Sequence, residues 1–203
     1  MSLFSAWMCV GITSTLWRNL HANSYDATLL ACDREWTLRQ GMEYWFWWFH
    51  ASKYIEMIDT VLLVLAKKHE QGLPVAWYLQ LYHHAITPSI GWHAWFLPVD
   101  SSFMGVITNT FVHVVMYAYF AVAVRVPAIR KYGRFVTMLQ LAQFAFCIFY
   151  AFVAAYGVFY CHSSFFSWCW IQAVYMSMLI FFVLFDRAKR AHAKSAAKAD
   201  KAQ

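Results

Sequence analysis

Apolar residues fill six long stretches of this chain, at about 1–20, 41–65, 73–97, 102–126, 134–157 and 164–185, with short polar connections between them. Each is close to the roughly 20 residues that a helix needs to cross the hydrocarbon of a bilayer. A segment in hydrocarbon has to satisfy its own backbone, so the pattern predicts an all-α polytopic bundle of six transmembrane helices. Four polar sets interrupt the apolar runs: Lys53-x-x-Glu56-x-x-Asp59-Thr60, Gln80-x-x-His83-His84, Asn109-x3-His113-x2-Met116-Tyr117-x-Tyr119-Phe120, and Thr137-x2-Gln140-x2-Gln143. Lys53, Glu56, Asp59 and Thr60 fall on one helical stripe, and Gln80, His83 and His84 share one face. An ionised side chain at the centre of a membrane helix costs roughly 2.5 to 3.5 kcal/mol even on a lenient insertion scale. Lys53, Glu56 and Asp59 in one span therefore call for partners, a wet cavity or a function.

Depth along each span brings these sets together. Counted from Leu65, Leu73, Val126 and Arg134, the residues Lys53, His83, His113, Gln140 and Gln143 lie about 9 to 20 Å in, at about 1.5 Å per residue. Four helices thus contribute to one layer. Pairing of Lys53, Glu56 and Asp59 among themselves is one explanation. Buried pairs seldom add net stability over apolar residues, however, so three retained charges lean towards use.

Composition and charge sharpen the class. The chain is 62% hydrophobic and 20% aromatic with 13% charged residues, against about 25% charged in soluble domains, which excludes an ordinary soluble enzyme. The first stretch lacks the basic start and small-residue cleavage site of a signal peptide. Lys67 and Lys68 follow the second span, Arg125, Arg130, Lys131 and Arg134 the fourth, and Arg187, Lys189, Arg190, Lys194, Lys198 and Lys201 the last. The connections near 98–102 and 158–163 carry no Lys or Arg. Short cytoplasmic loops hold the basic excess, so all three clusters belong on one, cytosolic, side with the C-terminus. The net charge of +6 is then a topology signal, and no nucleic-acid partner is expected. The chain divides into a transmembrane domain, 1–186, and a basic cytosolic tail, 187–203, expected to be a frayed helix end or disordered. Cys32 and Cys161 fall on the opposite, oxidising side, where a disulfide between them is expected; Cys9, Cys147 and Cys169 read as small apolar filler.

The paired histidines admit metal binding, acid–base or nucleophilic catalysis, or satisfied core polarity. Of nine histidines, His21, His50, His69, His162 and His192 stand alone near loops or span ends, which argues against a di-iron desaturase or hydroxylase. A transporter or ligand-binding protein using the same polar layer is a further alternative, although internal repeats of the kind transporters show are not found.

Taken in order, the four sets resemble the motifs of the ELO family of very-long-chain fatty acid elongases: KxxExxDT at Lys53 to Thr60, HxxHH at Gln80 to His84, NxxxHxxMYxYY at Asn109 to Phe120, and TxxQxxQ at Thr137 to Gln143. The resemblance implies a multi-pass protein of the endoplasmic reticulum membrane enclosing an acyl tunnel. It implies decarboxylative condensation of malonyl-CoA with a long-chain acyl-CoA to 3-ketoacyl-CoA, with no metal and no cofactor. Other elongation-cycle enzymes and a second copy of the chain are the protein partners it allows. Its implied roles are His83 as acyl acceptor, His113 as partner or base, His84 as orienting group, and Asp59 and Glu56 as groups that fix imidazole tautomers. Lys53 would hold the carboxylates, Asn109, Tyr117, Gln140 and Gln143 would donate to thioester or pantetheine, and Lys67, Lys68, Arg130, Lys131 and Arg134 would meet CoA phosphates. Gln80 replaces the first histidine of its box and cannot titrate, which shifts the burden to His83. Glutamine there is similar to some elongases of polyunsaturated chains. Phe120 replaces the last tyrosine of its motif. Family members have seven spans, and this chain opens at what resembles the second, as a shortened or minimal variant.

Overall fold

The computed structural model describes residues 1–67, 73–96, 102–161 and 164–200. Among them the chain is helical, without strands: α1 (Ser2–Ala22), α2 (Glu43–Leu65), α3 (Pro74–Phe96), α4 (Ser102–Arg125), α5 (Gly133–Val153), α6 (Ala155–Tyr160) and α7 (Phe165–Asp200), with 3₁₀ turns at Ala27–Leu30 and Pro127–Tyr132. Local chemistry sets several boundaries. Lys67 takes a left-handed φ of 52° and gives its N–H to the Val64 carbonyl, ending α2. Pro74 opens α3, where its missing N–H has no helical partner to lose. Pro88, inside α3, has no N–H to give to the His84 carbonyl, so the helix lacks a bond at the turn that carries the histidine pair.

The six long helices close a ring: α1 packs on α2, α2 on α3, α3 on α7, α7 on α5, α5 on α4, and α4 back on α1. Polarity across this ring runs opposite to that of a soluble protein. Lys53, Glu56, His84, His113, Thr137 and Gln143 are buried, while Leu3, Val10, Ile58, Leu62, Val124, Phe135, Phe149, Phe166 and Ile180 are exposed on the outside. Hydrocarbon solvates such an outer surface and water does not. Ser102–Arg125, Pro127–Tyr160 and Phe165–Ser195 are long and apolar enough to cross a membrane. The helices α1, α2 and α3, expected as spans too, have 21, 23 and 23 residues. α7 continues without a break at 186 through Asp200; at about 1.5 Å per residue it exceeds the roughly 30 Å of hydrocarbon.

One end of the ring is capped by the connection between α1 and α2. The Asp33 carboxylate accepts the N–H groups of Thr37 and Leu38 and the Thr37 hydroxyl. Asn19 donates to the carbonyls of Leu38 and Gln40. Arg39 donates to the carbonyls of Ala94 and Trp95, orphaned at the C-terminus of α3. Arg34 donates to Tyr160, and Cys32 is disulfide-bonded to Cys161 with Cα atoms 5.8 Å apart. On the exposed rim, the Thr28 hydroxyl and N–H hold the Asp26 carboxyl below its ordinary range. Beneath this cap, Ile12, Leu16, Leu38, Met42, Phe46, Phe49, Ala94, Phe103 and Val106 form one apolar core; Leu79, Phe144, Val174, Met178 and Phe182 form a second along α3, α5 and α7.

α2 and α3 come close at Gly91, where an added Cβ would lie 2.9 Å from the His50 Cα. Backbone cannot yield as a side-chain tip can. Gly91→Val is expected to destabilise the bundle by about 2 kcal/mol despite its better helix propensity, and to lower the thermal midpoint in detergent. An unchanged midpoint would mean that the helices can part there freely.

Candidate functional site

The buried polar layer is assembled from α2, α3 and α4. Lys53 on α2 donates to Glu56 Oε1 and Oε2 at 2.9 and 3.2 Å, one turn further on, and to Asn109 Oδ1 of α4 at 2.9 Å. Its ammonium also lies 4.5 Å from the centre of the Phe49 ring. His113 Nδ1 stands 3.3 Å from Glu56 Oε1, within ion-pair range but outside hydrogen-bonding geometry. Lys53 and Glu56 are each 2% exposed and His113 is 5% exposed, so the layer is dry on the α2–α4 side.

The two adjacent histidines differ. His84 is held at both ring nitrogens, by Thr60 Oγ1 at Nδ1 (2.9 Å) and by the Gln80 amide nitrogen at Nε2 (3.1 Å). With the amide donating to Nε2, the proton sits on Nδ1 and is given to Thr60. Among the described residues nothing hydrogen-bonds to the His83 ring. It stacks towards His113 with ring centres 6.4 Å apart and lies 5.4 Å from His84. Asp59, expected beside an imidazole, instead accepts a hydrogen bond from the Tyr117 hydroxyl at 3.1 Å. Gln80 and Thr60 thus do the orienting expected of Asp59.

His83 borders two cavities. The wider one leaves about 210 Å³ open to the centre of a water molecule and is lined by Gln80, His84, His113, Met116, Tyr117 and Gln140, among others. These residues lie in the N-terminal halves of α3 and α5 and along α4 towards Arg125, the last two beside the basic turn of Arg130, Lys131 and Arg134. The narrower one leaves about 30 Å³ and runs from Lys53, His83, Asn109 and Gln143 past Thr87 and Gly105 to Ala94 and Ser102, beneath the capped end. Gln140 and Gln143, three residues apart, therefore serve different cavities; Gln140 donates to the Met116 sulfur at 3.4 Å. Of the residues expected at a CoA mouth, Lys67 lies at the end of α2, Arg130 and Lys131 in the 3₁₀ turn and Arg134 at the start of α5; none of these four lines either cavity. Lys68 lies outside the described residues.

Sequence reasoning passed over α7. Ile171, Tyr175 and Met178 wall the narrow cavity, and Phe182 and Phe185 the wide one. They carry no periodic signal, because apolar residues surround that span on every side. The carboxylate of Glu56 and the imidazoles of His83 and His113 bring ligand atoms within 4.8 Å of one another. A divalent cation could be held by such a set, but Lys53 already neutralises Glu56, and a cation would have to displace it.

The family described as ELO: GNS1/SUR4 matches the chain over residues 1–198. The chain belongs to the ELO family. It is 33% identical over 156 residues to mouse very long chain fatty acid elongase 2, covering 73% of this chain and 49% of the relative. With mouse very long chain fatty acid elongase 5 the identity is 29% over 184 residues, 89% of this chain and 58% of the relative. With elongase 4 of Macaca mulatta it is 39% over 103 residues, 48% and 31% of the two chains. This ELO-family chain thus spans about half the length of elongases 2 and 5.

The Lys53 ammonium is the strongest test of how the layer holds together. Lys53→Met strands the Glu56 charge in a dry interior and is expected to cost about 3 to 5 kcal/mol. The double variant K53M/E56Q should recover more than half of that loss. Chemical denaturation in micelles checks both, and a double variant no more stable than K53M would contradict the pairing.

Proposed function

We propose that this protein is a condensing enzyme of fatty acid elongation, joining malonyl-CoA to a long-chain acyl-CoA with His83 as the acyl acceptor. One observation carries the choice: His84 is tied at both nitrogens, whereas among the described residues nothing hydrogen-bonds to the His83 ring, which stands at the junction of a wider and a narrower cavity. A nucleophile needs an available lone pair and a path for its substrate. The wide cavity then receives the thioester and pantetheine, and the narrow one the acyl tail.

The chemistry follows in two steps. An imidazole nitrogen of His83 attacks the acyl thioester carbonyl, the carbon–sulfur bond breaks, and CoA leaves as the thiol with the proton given up by the ring. Malonyl-CoA then loses carbon dioxide, and the electron pair of the broken carbon–carbon bond becomes a thioester enolate. Its carbon attacks the acyl-imidazole, the carbon–nitrogen bond breaks, and the departing imidazolate takes up a proton from water, relayed through His113. Glu56, held by Lys53, stands 3.3 Å from His113 Nδ1 and fixes where that ring lies for this relay. Tyr117, Asn109, Gln140 and Gln143 are the donors this reading assigns to the thioester, pantetheine and enolate. Lys67, Arg130, Lys131 and Arg134 belong to the cytosolic mouth and meet CoA phosphates there, and the membrane is that of the endoplasmic reticulum.

The test is malonyl-CoA-dependent release of carbon dioxide by purified protein given long-chain acyl-CoA. His83→Ala and His113→Ala are each expected to lower it at least about a thousand-fold while the protein still inserts and purifies. Turnover near that of the parent in either variant would overturn the assignment. The Glu56, His83 and His113 donors also support a second, metal-dependent reading. Release that persists after chelation and dialysis supports the imidazole route; loss restored by a divalent metal supports the other.

A further inference from the structure

We propose that Tyr175 of α7, seated on Gly105 of α4, is the gate that decides how long an acyl chain the narrow cavity accepts. This rests on the acyl-handling reading of that cavity given above. Both residues line it. A Cβ added at Gly105 would collide with the Tyr175 hydroxyl oxygen, so the phenol crosses the lumen from α7 and ends against the α4 backbone. Only glycine leaves it that seat. Cys147 of α5 lies beside the Tyr175 hydroxyl. Thr108 Oγ1 of α4 lies 3.5 Å from the same sulfur and is itself bonded back to the Met104 carbonyl at 2.8 Å. The phenol of α7 thus lies between Gly105 of α4 and Cys147 of α5 at the wall of the passage.

Position along the helices gives the gate its meaning. Gly105 stands eight residues from His113 on α4, about 12 Å towards the capped end. An extended hydrocarbon advances about 1.3 Å per carbon, the projection of a carbon–carbon bond near 1.5 Å. A chain bound at the histidine layer therefore reaches the phenol at about its ninth or tenth carbon. Beyond the phenol lie Ala94, Ser102 and Ile171, which also line the cavity. The passage now leaves about 30 Å³ open to water centres, room for about one water. A longer chain has to swing the phenol off Gly105 and away from Cys147, and a shorter chain does not. The preference for long over short chains is thereby set at Tyr175, a residue outside all four polar motifs.

The experiment compares full-length parent, Tyr175→Ala, Tyr175→Phe and Tyr175→Trp. Each is given a short acyl-CoA of about 8 carbons and a long one of about 18. The readout is the long-to-short ratio of kcat/KM within one preparation, which the folded fraction does not affect. The ratio is expected to rise about ten-fold or more in Y175A, to rise less in Y175F, which keeps the ring but loses the thiol contact, and to fall in Y175W. Equilibrium binding of non-transferable acyl-CoA thioether analogues of both lengths should shift in the same order without any turnover. Ratios unchanged in Y175A and Y175F, by turnover and by binding, would overturn the gate. So would a parent that binds neither analogue. Shifted binding ratios in a protein that releases no carbon dioxide would uphold the gate and overturn the condensing reaction instead.

Discussion

The buried pair of Lys53 and Glu56 is the interaction on which the interior depends. It cannot be understood as a gain in stability, since apolar residues of similar volume usually do as well or better. Its effect is to place charge where the ring of helices would otherwise close on hydrocarbon. Lys53 reaches from α2 to Asn109 on α4, and Glu56 faces His113 on the same helix. Among the described helices, α1 lies between α2 and α4 on that arc of the ring. The pair therefore joins two helices that are not sequence neighbours, and it holds the lumen polar at one level only.

That level divides the lumen into unequal halves. Towards the basic end the walls carry imidazole, amide, phenol and thioether groups around a cavity with room for several waters. Towards the capped end they become mostly apolar and close down, beneath a connection whose Arg39 and Asn19 bond main-chain carbonyls and whose Cys32 is tied to Cys161. A wider half towards the basic end and a narrower half towards the cap suit a molecule with a bulky head and a long tail. At the divide His84 is fixed by Thr60 and Gln80, while among the described residues nothing hydrogen-bonds to the adjacent His83.

Much of this was legible in the sequence, for definite reasons. Polar residues three and four apart within apolar spans had to share a face, and depth counting from the basic ends put Lys53, His83 and His113 in one layer, as the structure does. Rotation about each helix axis was not legible. Spans that are apolar on every side give no phase, so the α7 walls, including Tyr175, and the split of Gln140 from Gln143 came only from the packed ring. Partner choice was also hidden: Asp59 looked like a group for an imidazole, yet Tyr117 reaches it first and the threonine at 60 takes the histidine. The cap was not legible either, because Arg34 and Arg39 find their partners, main-chain carbonyls at a helix end or turn, only in the folded chain.

The most direct measurement is intact-protein mass spectrometry after incubation with long-chain acyl-CoA alone, followed by peptide mapping of any adduct. A mass gain of one acyl group located on His83, and absent from the His83→Ala protein, is the predicted result. No gain in the parent protein, or an acyl group carried by His84 or Cys147, would contradict the assignment of the free imidazole as acyl acceptor.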